Sequence, residues 1–438
     1  MKIEKLAAAE GMPGYFPPGA VKTEGGFHIC TMAEGENVSL AVFETSGGEE
    51  KQRIFPFPEG SRLGNMRTIR LLGGDFAGLS YSLICDGTEQ PDPFGHAFTG
   101  RETWGELSHV KNPLRSPFEL PYFDWEGDEP LHIPYEDMIL YRIHARGLTM
   151  GPRGTDRKDK TAGRPGTFQA IRDKIPYFRE LGVTSLELMP PNEFEEVMMP
   201  DSSDGNPYGP DEPTGKLNYW GYGPSLLFAP KASYSEGKPG KKNPSSEFKA
   251  LVKELHKNGL ELIIELYFTG KESAAFISEA VRFWVREYHV DGIHLTGIAS
   301  CPSLADDPWL SRTKLFASFW EESGSEKGKQ EKSRHLAEYN DGFLVDMRRL
   351  LKGDEDQMNG LIFRSRRNPR NMGVINYMAH SNGFTLADSV SYEMKHNEAN
   401  GENNQDGSAW NYTWNCGVEG PSRKKKIVGM RQKQIRNA

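Results

Sequence analysis

The feature that most limits the fold is a regular alternation of strand-like and helix-like segments that begins near residue 138. Apolar and β-branched runs alternate with longer runs in which apolar residues recur every three or four positions. This rhythm is typical of parallel strands that are connected through helices. Strands are predicted over 138–144, 184–189, 260–268, 292–296, 314–320 and 374–380, and helices over 167–181, 246–258 and 274–288.

These segments favour one α/β architecture over another. A doubly wound sheet that binds a dinucleotide carries a glycine-rich turn after its first strand, and the chain has none after residues 138–144. Several of the predicted strands are followed by long loops, which is where (β/α) barrel enzymes place their sites. We therefore predict an α/β fold with a (β/α)8-type TIM barrel over residues 135–438.

A different pattern precedes the barrel. Short β-rich runs over 27–32, 38–43 and 81–85 are separated by Gly and Pro, which predicts a small β-sandwich over residues 1–110. Residues 111–134 are rich in Pro and aromatic side chains and are interpreted as an ordered linker.

Charge and composition exclude several classes of function. The net charge of −8 over 438 residues argues against a nucleic-acid partner, and the basic run 423–426 is interpreted as a solvated helix face. No apolar run approaches the ~18 residues that suggest a membrane span, and residues 1–6 lack the apolar core of a signal peptide. A cytoplasmic protein without a membrane partner is predicted. The four cysteines lack metal-ligand spacing, so no metal or other cofactor is expected.

Several exact strings resemble one family. The segments 141–147 and 218–222, with 228–234, resemble the first strand and the segment after the second strand of glycogen- and starch-debranching enzymes. The combination of 383–386, 395–404 and 414–420 is the most specific match. The chain is thus similar to isoamylase, pullulanase and bacterial glycogen debranching enzyme, in glycoside hydrolase family 13, the alpha-amylase superfamily. Residues 1–110 resemble, more loosely, a family 48 carbohydrate-binding module.

The resemblance implies retaining hydrolysis of α-1,6 linkages, which needs carboxyl groups at set positions. One carboxylate attacks the anomeric carbon, and a second, about 5 Å away, protonates the leaving oxygen. In this chain the residues that match the nucleophile, the acid and the third acid are Thr296, Ser318 and Asn382. His294 stands where the family has an Arg and Ser381 where it has a His. We therefore predict that the ancestral reaction is lost.

A few other residues lie near the positions of the missing groups. Asp291 lies five residues before Thr296, so strand alternation sends its side chain to the other face. His294 lies two residues from Thr296, about 6.6 Å away along the strand, and is the one candidate base for that hydroxyl. Glu321 and Glu322 lie beyond Ser318 and would need a folded-back loop to replace it.

The resemblance also implies substrate contacts for four aromatic residues. Their rings could stack on sugars, or they could simply pack the loops that carry them, and the sequence leaves both interpretations open. The family's occasional calcium sites do not carry over, because residues 269–270 depart from the family pattern. The four aromatic residues are Tyr219, Trp220, Tyr222 and Trp320.

The family's eighth strand and C-terminal β-domain have no counterpart in the sequence, so the predicted barrel lacks its last strand. An incomplete barrel leaves unpaired strand edges through which copies of the chain could associate. The predicted function is that of a glucan-binding or regulatory pseudoenzyme with an α-glucan such as glycogen or starch as partner. An active α-1,6-glucan hydrolase and a non-functional remnant are the alternatives.

Overall fold

The chain divides into two compact units, Met1–Lys314 and Leu315–Ala438, and both contain parallel strands. The computed structural model describes residues 2–12, 17–151, 164–199, 214–237, 243–298, 301–320, 335–367 and 372–438. Glu321 and Glu322 lie outside the described residues.

Two antiparallel sheets form from the first 120 residues of the first unit. One has the order β1-β7-β3-β2 with β6 on β7, and the other has the order β10-β8-β4-β5 with β9 on β8. The strands are β1 (Ala7–Glu10), β2 (Gly19–Thr23), β3 (Gly26–Met32), β4 (Val38–Ser46), β5 (Glu49–Pro56), β6 (Arg62–Leu63), β7 (Met66–Leu72), β8 (Leu79–Cys85), β9 (Thr88–Gln90) and β10 (Ser116–Pro117).

Alternating side chains of the two sheets meet in one hydrophobic cluster. Ile29 and Ile69 come from the first sheet and Leu40 and Leu83 from the second, and each is at most 1% exposed. Burying a side chain of this size stabilises the fold by roughly 1.5–3 kcal/mol. The cluster is therefore the main source of stability for these short strands.

Four parallel strands follow in the same unit, in the order β11-β12-β15-β16. Their carboxyl ends lie at one edge, which is the edge where sites of such sheets are built. A separate antiparallel pair, β13 and β14, follows the second of them. The strands are β11 (Leu140–Ile143), β12 (Ser185–Leu188), β13 (Asn192–Phe194), β14 (Ser225–Pro230), β15 (Glu261–Tyr267) and β16 (Gly292–Thr296).

Three helices of the first unit, α1, α3 and α4, begin at side-chain caps. Thr167, Asn243 and Ser273 each accept a backbone N–H three residues on, which satisfies one of the free donors of a first turn. The predicted helix 167–181 is broken into two at Lys174, where Pro176 cannot donate to the preceding turn. The helices are α1 (Phe168–Asp173), α2 (Ile175–Glu180), α3 (Pro244–Lys257), α4 (Ala274–Tyr288) and α5 (Pro302–Ala305), with 3-10 turns at Ile3–Lys5, Glu59–Ser61, Leu107–Lys111, Tyr135–Asp137, Ala232–Tyr234 and Pro308–Leu310.

Residues 111–134 are held against the amino-terminal edge of the parallel strands. Asp291 is central to this contact, because it accepts the Leu131 N–H at 3.1 Å and the Leu262 N–H at 2.8 Å. His256 bridges the Asp291 and Asp128 carboxylates, with both N···O distances at 2.9 Å. The two carboxylates raise the pKa of His256 against the opposing effect of its burial.

The second unit has three parallel strands in the order β17-β18-β19. β18 was not predicted, because its four residues carry no distinct alternation. Gly353, with φ of +94°, ends α6 in the left-handed region that glycine favours. The strands are β17 (Lys314–Ala317), β18 (Leu336–Tyr339) and β19 (Gly373–Ile375), and the helices are α6 (Asp341–Lys352), α7 (Gln357–Ser365), α8 (Leu386–Ser389) and α9 (Lys425–Asn437), with a 3-10 turn at Glu398–Asn400.

The predicted strands and helices of the α/β region are all present, with β16 and α4 at their predicted bounds and the others within one to five residues. The predicted domain boundary near residue 135 differs from the division into compact units and stays a prediction. Within the described ranges, no helix combines the length and apolar character that crossing a bilayer requires.

Candidate functional site

A buried ion network fills the space between the first four parallel strands. Arg142 of β11 donates to Glu265 of β15 at 2.6 Å (Nη2 to Oε2) and lies 3.3 Å from Glu187 of β12 (Nε to Oε1). Glu187 also bonds His294 of β16 at 2.7 Å through Nδ1. The hydroxyl of Tyr222 donates to Glu265 Oε1 at 2.8 Å. We call these five residues the inner ion network.

Burial makes the charges of this network interdependent. Glu187 and Glu265 are fully buried and His294 is 5% exposed. Burial alone would lower the pKa of Arg142, but the two carboxylates outweigh it and raise that pKa. Burial and the neighbouring Glu265 also raise the pKa of Tyr222, so its hydroxyl stays protonated and donates. Both carboxylates are thus engaged with partners within the protein.

The segment 218–222, which we call the Trp220 loop, is fixed by hydrogen bonds at both ends. Asn218 accepts the Gly221 N–H at 3.0 Å and donates to the Tyr222 carbonyl at 3.3 Å. Gly221 has φ of +79°, and a Cβ there would lie 2.7 Å from the Phe194 ring. The loop therefore needs glycine at this position.

His144 holds the middle of the Trp220 loop. Its ring stacks on Tyr219 with centroids 4.1 Å apart, and its Nε2 donates to the Tyr219 carbonyl at 2.8 Å. Its Nδ1 accepts the N–H groups of Arg146 and Gly147. Burial lowers the pKa of His144 to about 4, so the ring is neutral and keeps both roles near pH 7.

The three aromatic residues of the Trp220 loop have different surroundings. Tyr219 is stacked on His144, and Tyr222 is tied to the inner ion network and lies beside Tyr267, with centroids 5.2 Å apart. Trp220 is 40% exposed and touches the edges of neighbouring rings. Trp220 is thus the exposed ring of the three, while the hydroxyl and carbonyl contacts of its neighbours fix the loop.

Thr296 ends β16 with a neutral side chain. Its hydroxyl donates to the Leu266 carbonyl at 3.2 Å, and the predicted base, His294, is engaged through Nδ1 with Glu187. The Thr296 hydroxyl and the His294 Nδ1 thus have different partners. Asp291 lies before β16 and binds Leu131, His256 and Leu262, in agreement with its predicted position on the other side of the strand.

Ser318 and Trp320 follow β17 in the second unit and differ in exposure. Ser318 is exposed. Trp320 is 4% exposed, and its indole N–H donates to the Ala337 carbonyl at 3.0 Å. Its backbone N–H donates to Glu338, whose carboxylate also pairs with Arg367. The structure therefore places Trp320 in the packing of its unit rather than on an open surface.

Ser381 and Asn382 lie in a bend after β19, and both are exposed. The Asn382 backbone N–H donates to His380 Nδ1 at 3.2 Å. Neither position carries a carboxylate, and the contact within the bend is made to the His380 ring.

Arg142, Glu187 and His144 were not singled out in the sequence. The signal for the first two was an ionisable residue inside a short strand of otherwise apolar residues, because such a group needs a buried partner. The partner of each comes from another strand and cannot be read from local pattern.

Two groups of side chains in the described part of the chain place one potential metal ligand each within 4.8 Å of the others. In one, Arg142 already supplies the positive charge between the carboxylates. In the other, Arg101 pairs with Glu195 and Lys231 with Glu196. An added cation would have to compete with these ion pairs, and the absence of a metal stays a prediction. The groups are Glu187, Glu265 and His294, and His109, Glu195 and Glu196.

Known proteins resemble the chain over most of its length. The chloroplast isoamylase 1 of Arabidopsis thaliana is 26% identical over an alignment covering all of this chain and 68% of that protein. The glycogen operon protein GlgX homolog of Mycobacterium tuberculosis is 27% identical, covering 79% of this chain and 58% of that protein. The chain thus spans about two thirds or less of the length of these relatives. No protein-family model matches it.

Solved structures show the same type of fold. The pullulanase of Paenibacillus barengoltzii, in a complex with maltohexaose and alpha-cyclodextrin, superimposes with a TM-score of 0.60 at 18% identity. The match covers 86% of this chain and 68% of that one. The α/β fold of the chain is therefore like that of pullulanase.

Proposed function

Since the chain belongs to the isoamylase- and pullulanase-like family of glycoside hydrolases, we propose that it binds α-glucans without hydrolysing them. The observation that carries the proposal is a contrast in the first unit. An open tryptophan ring stands on a fixed loop, while the carboxylates inside the strands are locked in ion pairs.

Loss of hydrolysis is supported by what the reaction requires. A retaining glycosidase needs a nucleophilic carboxylate and a protonated carboxyl group about 5 Å apart. Thr296, Ser318 and Asn382 supply neither. A nucleophilic hydroxyl needs an adjacent base, whereas the Thr296 hydroxyl donates to a backbone carbonyl and His294 contacts Glu187 through Nδ1. Glu338, a buried carboxylate on the strand next to β17, accepts the Trp320 backbone N–H and pairs with Arg367.

Glucan binding is supported by the exposed ring of Trp220. An aromatic face can stack on the apolar face of a sugar without any contribution from the lost carboxylates. The P. barengoltzii pullulanase carries maltohexaose in its complex. We propose glycogen or starch-like chains as the ligand class of this chain.

Three further features belong to the proposal. The family membership supports a (β/α) barrel and a preceding β-sandwich like a family 48 carbohydrate-binding module. Among the described residues, β11 and β19 each pair with one neighbouring strand, so self-association through strand edges is also proposed. A cytoplasmic location follows the sequence prediction.

The test separates binding from catalysis. Reducing-sugar release from pullulan, glycogen and amylopectin is expected to equal a protein-free blank over several hours. Calorimetric titration with maltohexaose is expected to give saturable binding that Trp220→Ala weakens. Turnover that disappears in Thr296→Ala would establish an active hydrolase, and a folded protein with no binding to any glucan would favour a non-functional remnant.

A further inference from the structure

The contacts of Tyr222 assign it a role different from that of Trp220. Arg142 Nη2 donates to the Tyr222 hydroxyl at 3.1 Å, and that hydroxyl donates to Glu265 Oε1 at 2.8 Å. Arg142 closes the circuit by donating to Glu265 Oε2 at 2.6 Å. The hydroxyl therefore uses both its donor and an acceptor site on charged partners, of which Glu265 is fully buried, and charged partners give stronger hydrogen bonds than neutral ones.

This circuit reaches Trp220 through a short piece of backbone. Tyr222 follows Trp220 by two residues, and between them Gly221 has φ of +79° and fits closely beside Phe194. On the other side, Asn218 ties the loop to the Tyr222 carbonyl. Because the loop has little freedom between these points, the direction of the Trp220 ring depends on where Tyr222 is held.

We propose that Tyr222 is a positioning residue, and that the Arg142–Glu265 pair holds it so that Trp220 faces the glucan. The inference rests on the proposed glucan binding for its affinity readout. It assigns the inner ion network a task in ligand recognition. The family resemblance implies that Tyr222 contacts the sugar directly. In this proposal it acts through its hydroxyl, which holds the loop that carries Trp220.

The test compares two variants, each of which lacks one tyrosine hydroxyl. Tyr222→Phe removes both hydrogen bonds of the hydroxyl and is expected to weaken maltohexaose binding about three- to tenfold. Tyr288→Phe is the matched control, because the hydroxyl of Tyr288, the last residue of α4, is buried and bonds Ser245 of α3 at 3.1 Å. Its loss is expected to lower stability without changing glucan affinity.

A spectroscopic readout makes the inference independent of glucan binding. In protein labelled with 5-fluorotryptophan, the Trp220 resonance is assigned through Trp220→Phe. It is expected to shift or broaden in Tyr222→Phe and to stay in place in Tyr288→Phe. Glu265→Gln, which retains an acceptor oxygen for the hydroxyl, is expected to give a smaller change in the same direction.

The outcomes distinguish the two claims. If the wild-type chain binds no glucan but the Trp220 resonance moves in Tyr222→Phe, the positioning role stands and the proposed function fails. If wild-type binding is measured and Tyr222→Phe changes neither the affinity nor the resonance, the positioning role is overturned. Equal changes in Tyr222→Phe and Tyr288→Phe would also overturn it, because they would reflect a general loss of stability.

Discussion

The Trp220 loop and the positions that match the family's catalytic residues differ in how firmly contacts within the protein hold them. The loop is fixed by Asn218, by His144 and by a buried ion network. Ser318 and Asn382 are exposed, and Thr296 donates only to a backbone carbonyl among its described contacts. This difference is the one that the proposed function, glucan binding without hydrolysis, predicts.

The largest expected effect comes from removing the cation of the inner ion network. Arg142→Ala removes the guanidinium that pairs with the buried carboxylates of Glu187 and Glu265, and breaking such a pair costs about 3–5 kcal/mol. Denaturant unfolding should show this loss. Arg286→Ala is the matched control, because Arg286 pairs with Glu279 at an exposed site, where the loss is expected to be about 1 kcal/mol or less. Equal losses would mean that the network is not what fixes this region.

Acid is expected to lower the free energy of unfolding by protonating His144, which holds the Trp220 loop. Its folded-state pKa of about 4 lies below the unfolded value of 6.5, so the unfolded chain binds the proton more readily. The stability contribution is present above pH 6.5 and is lost as the pH falls towards 4, by roughly 3 kcal/mol. Protonation also places an N–H at Nδ1, which faces the N–H groups of Arg146 and Gly147.

The control for this pH effect is His144→Gln, which does not titrate. Unfolding free energies of both proteins are measured from pH 7 to pH 4, and the difference between them should shrink as the pH falls. A difference that stays constant across this range would contradict the assignment. Comparing the two proteins removes the contribution of the other titrating groups, including His256, whose raised pKa acts in the opposite direction.

A pair of glycines sharpens the claim that the Trp220 loop is closely packed. Gly215 and Gly221 both have φ of +79°, but a Cβ on Gly215 meets nothing within 4 Å, while one on Gly221 meets Phe194 at 2.7 Å. Gly215→Ala is expected to cost about 1–2 kcal/mol for the backbone conformation alone. Gly221→Ala should cost about 1–3 kcal/mol more from overpacking and should weaken glucan binding. Equal costs would contradict a tight loop.

The smallest effects are expected at the positions that match the lost carboxyl groups. Ser318 and Asn382 are exposed, so Ser318→Ala and Asn382→Ala should change the unfolding free energy by no more than about 0.5 kcal/mol. Glucan affinity should also stay unchanged. A large loss of either would show that these positions still have a role that the comparison denies them.

Local signals in the sequence were sufficient for much of the α/β region. α4 and β16 begin and end at their predicted residues, because α4 has a Ser273 cap and a clear apolar periodicity. The break between α1 and α2 follows from Pro176 and was missed, since a continuous apolar pattern outweighed it. β18 is too short for its pattern to stand out.

Motif matching predicted the positions of some residues of the candidate site but not their partners. The strings placed Thr296 and Trp220 at strand and loop positions, but the partners of Arg142 come from residues 45 and 123 positions away, on β12 and β15. Such pairing depends on strand order and register, for example Glu265 opposite His294. The sequence likewise left open whether the aromatic residues pack or bind, which depends on exposure.

The central claim, binding without hydrolysis, can be tested by native gel electrophoresis. Protein is run through a gel containing amylopectin, beside a gel without it, and the gel is then incubated and stained with iodine. The account predicts a band that is retarded by the polysaccharide, less so for Trp220→Ala, with unchanged iodine colour around it. A zone of altered colour at the wild-type band that is absent for Thr296→Ala, or a folded protein with no retardation, would contradict it.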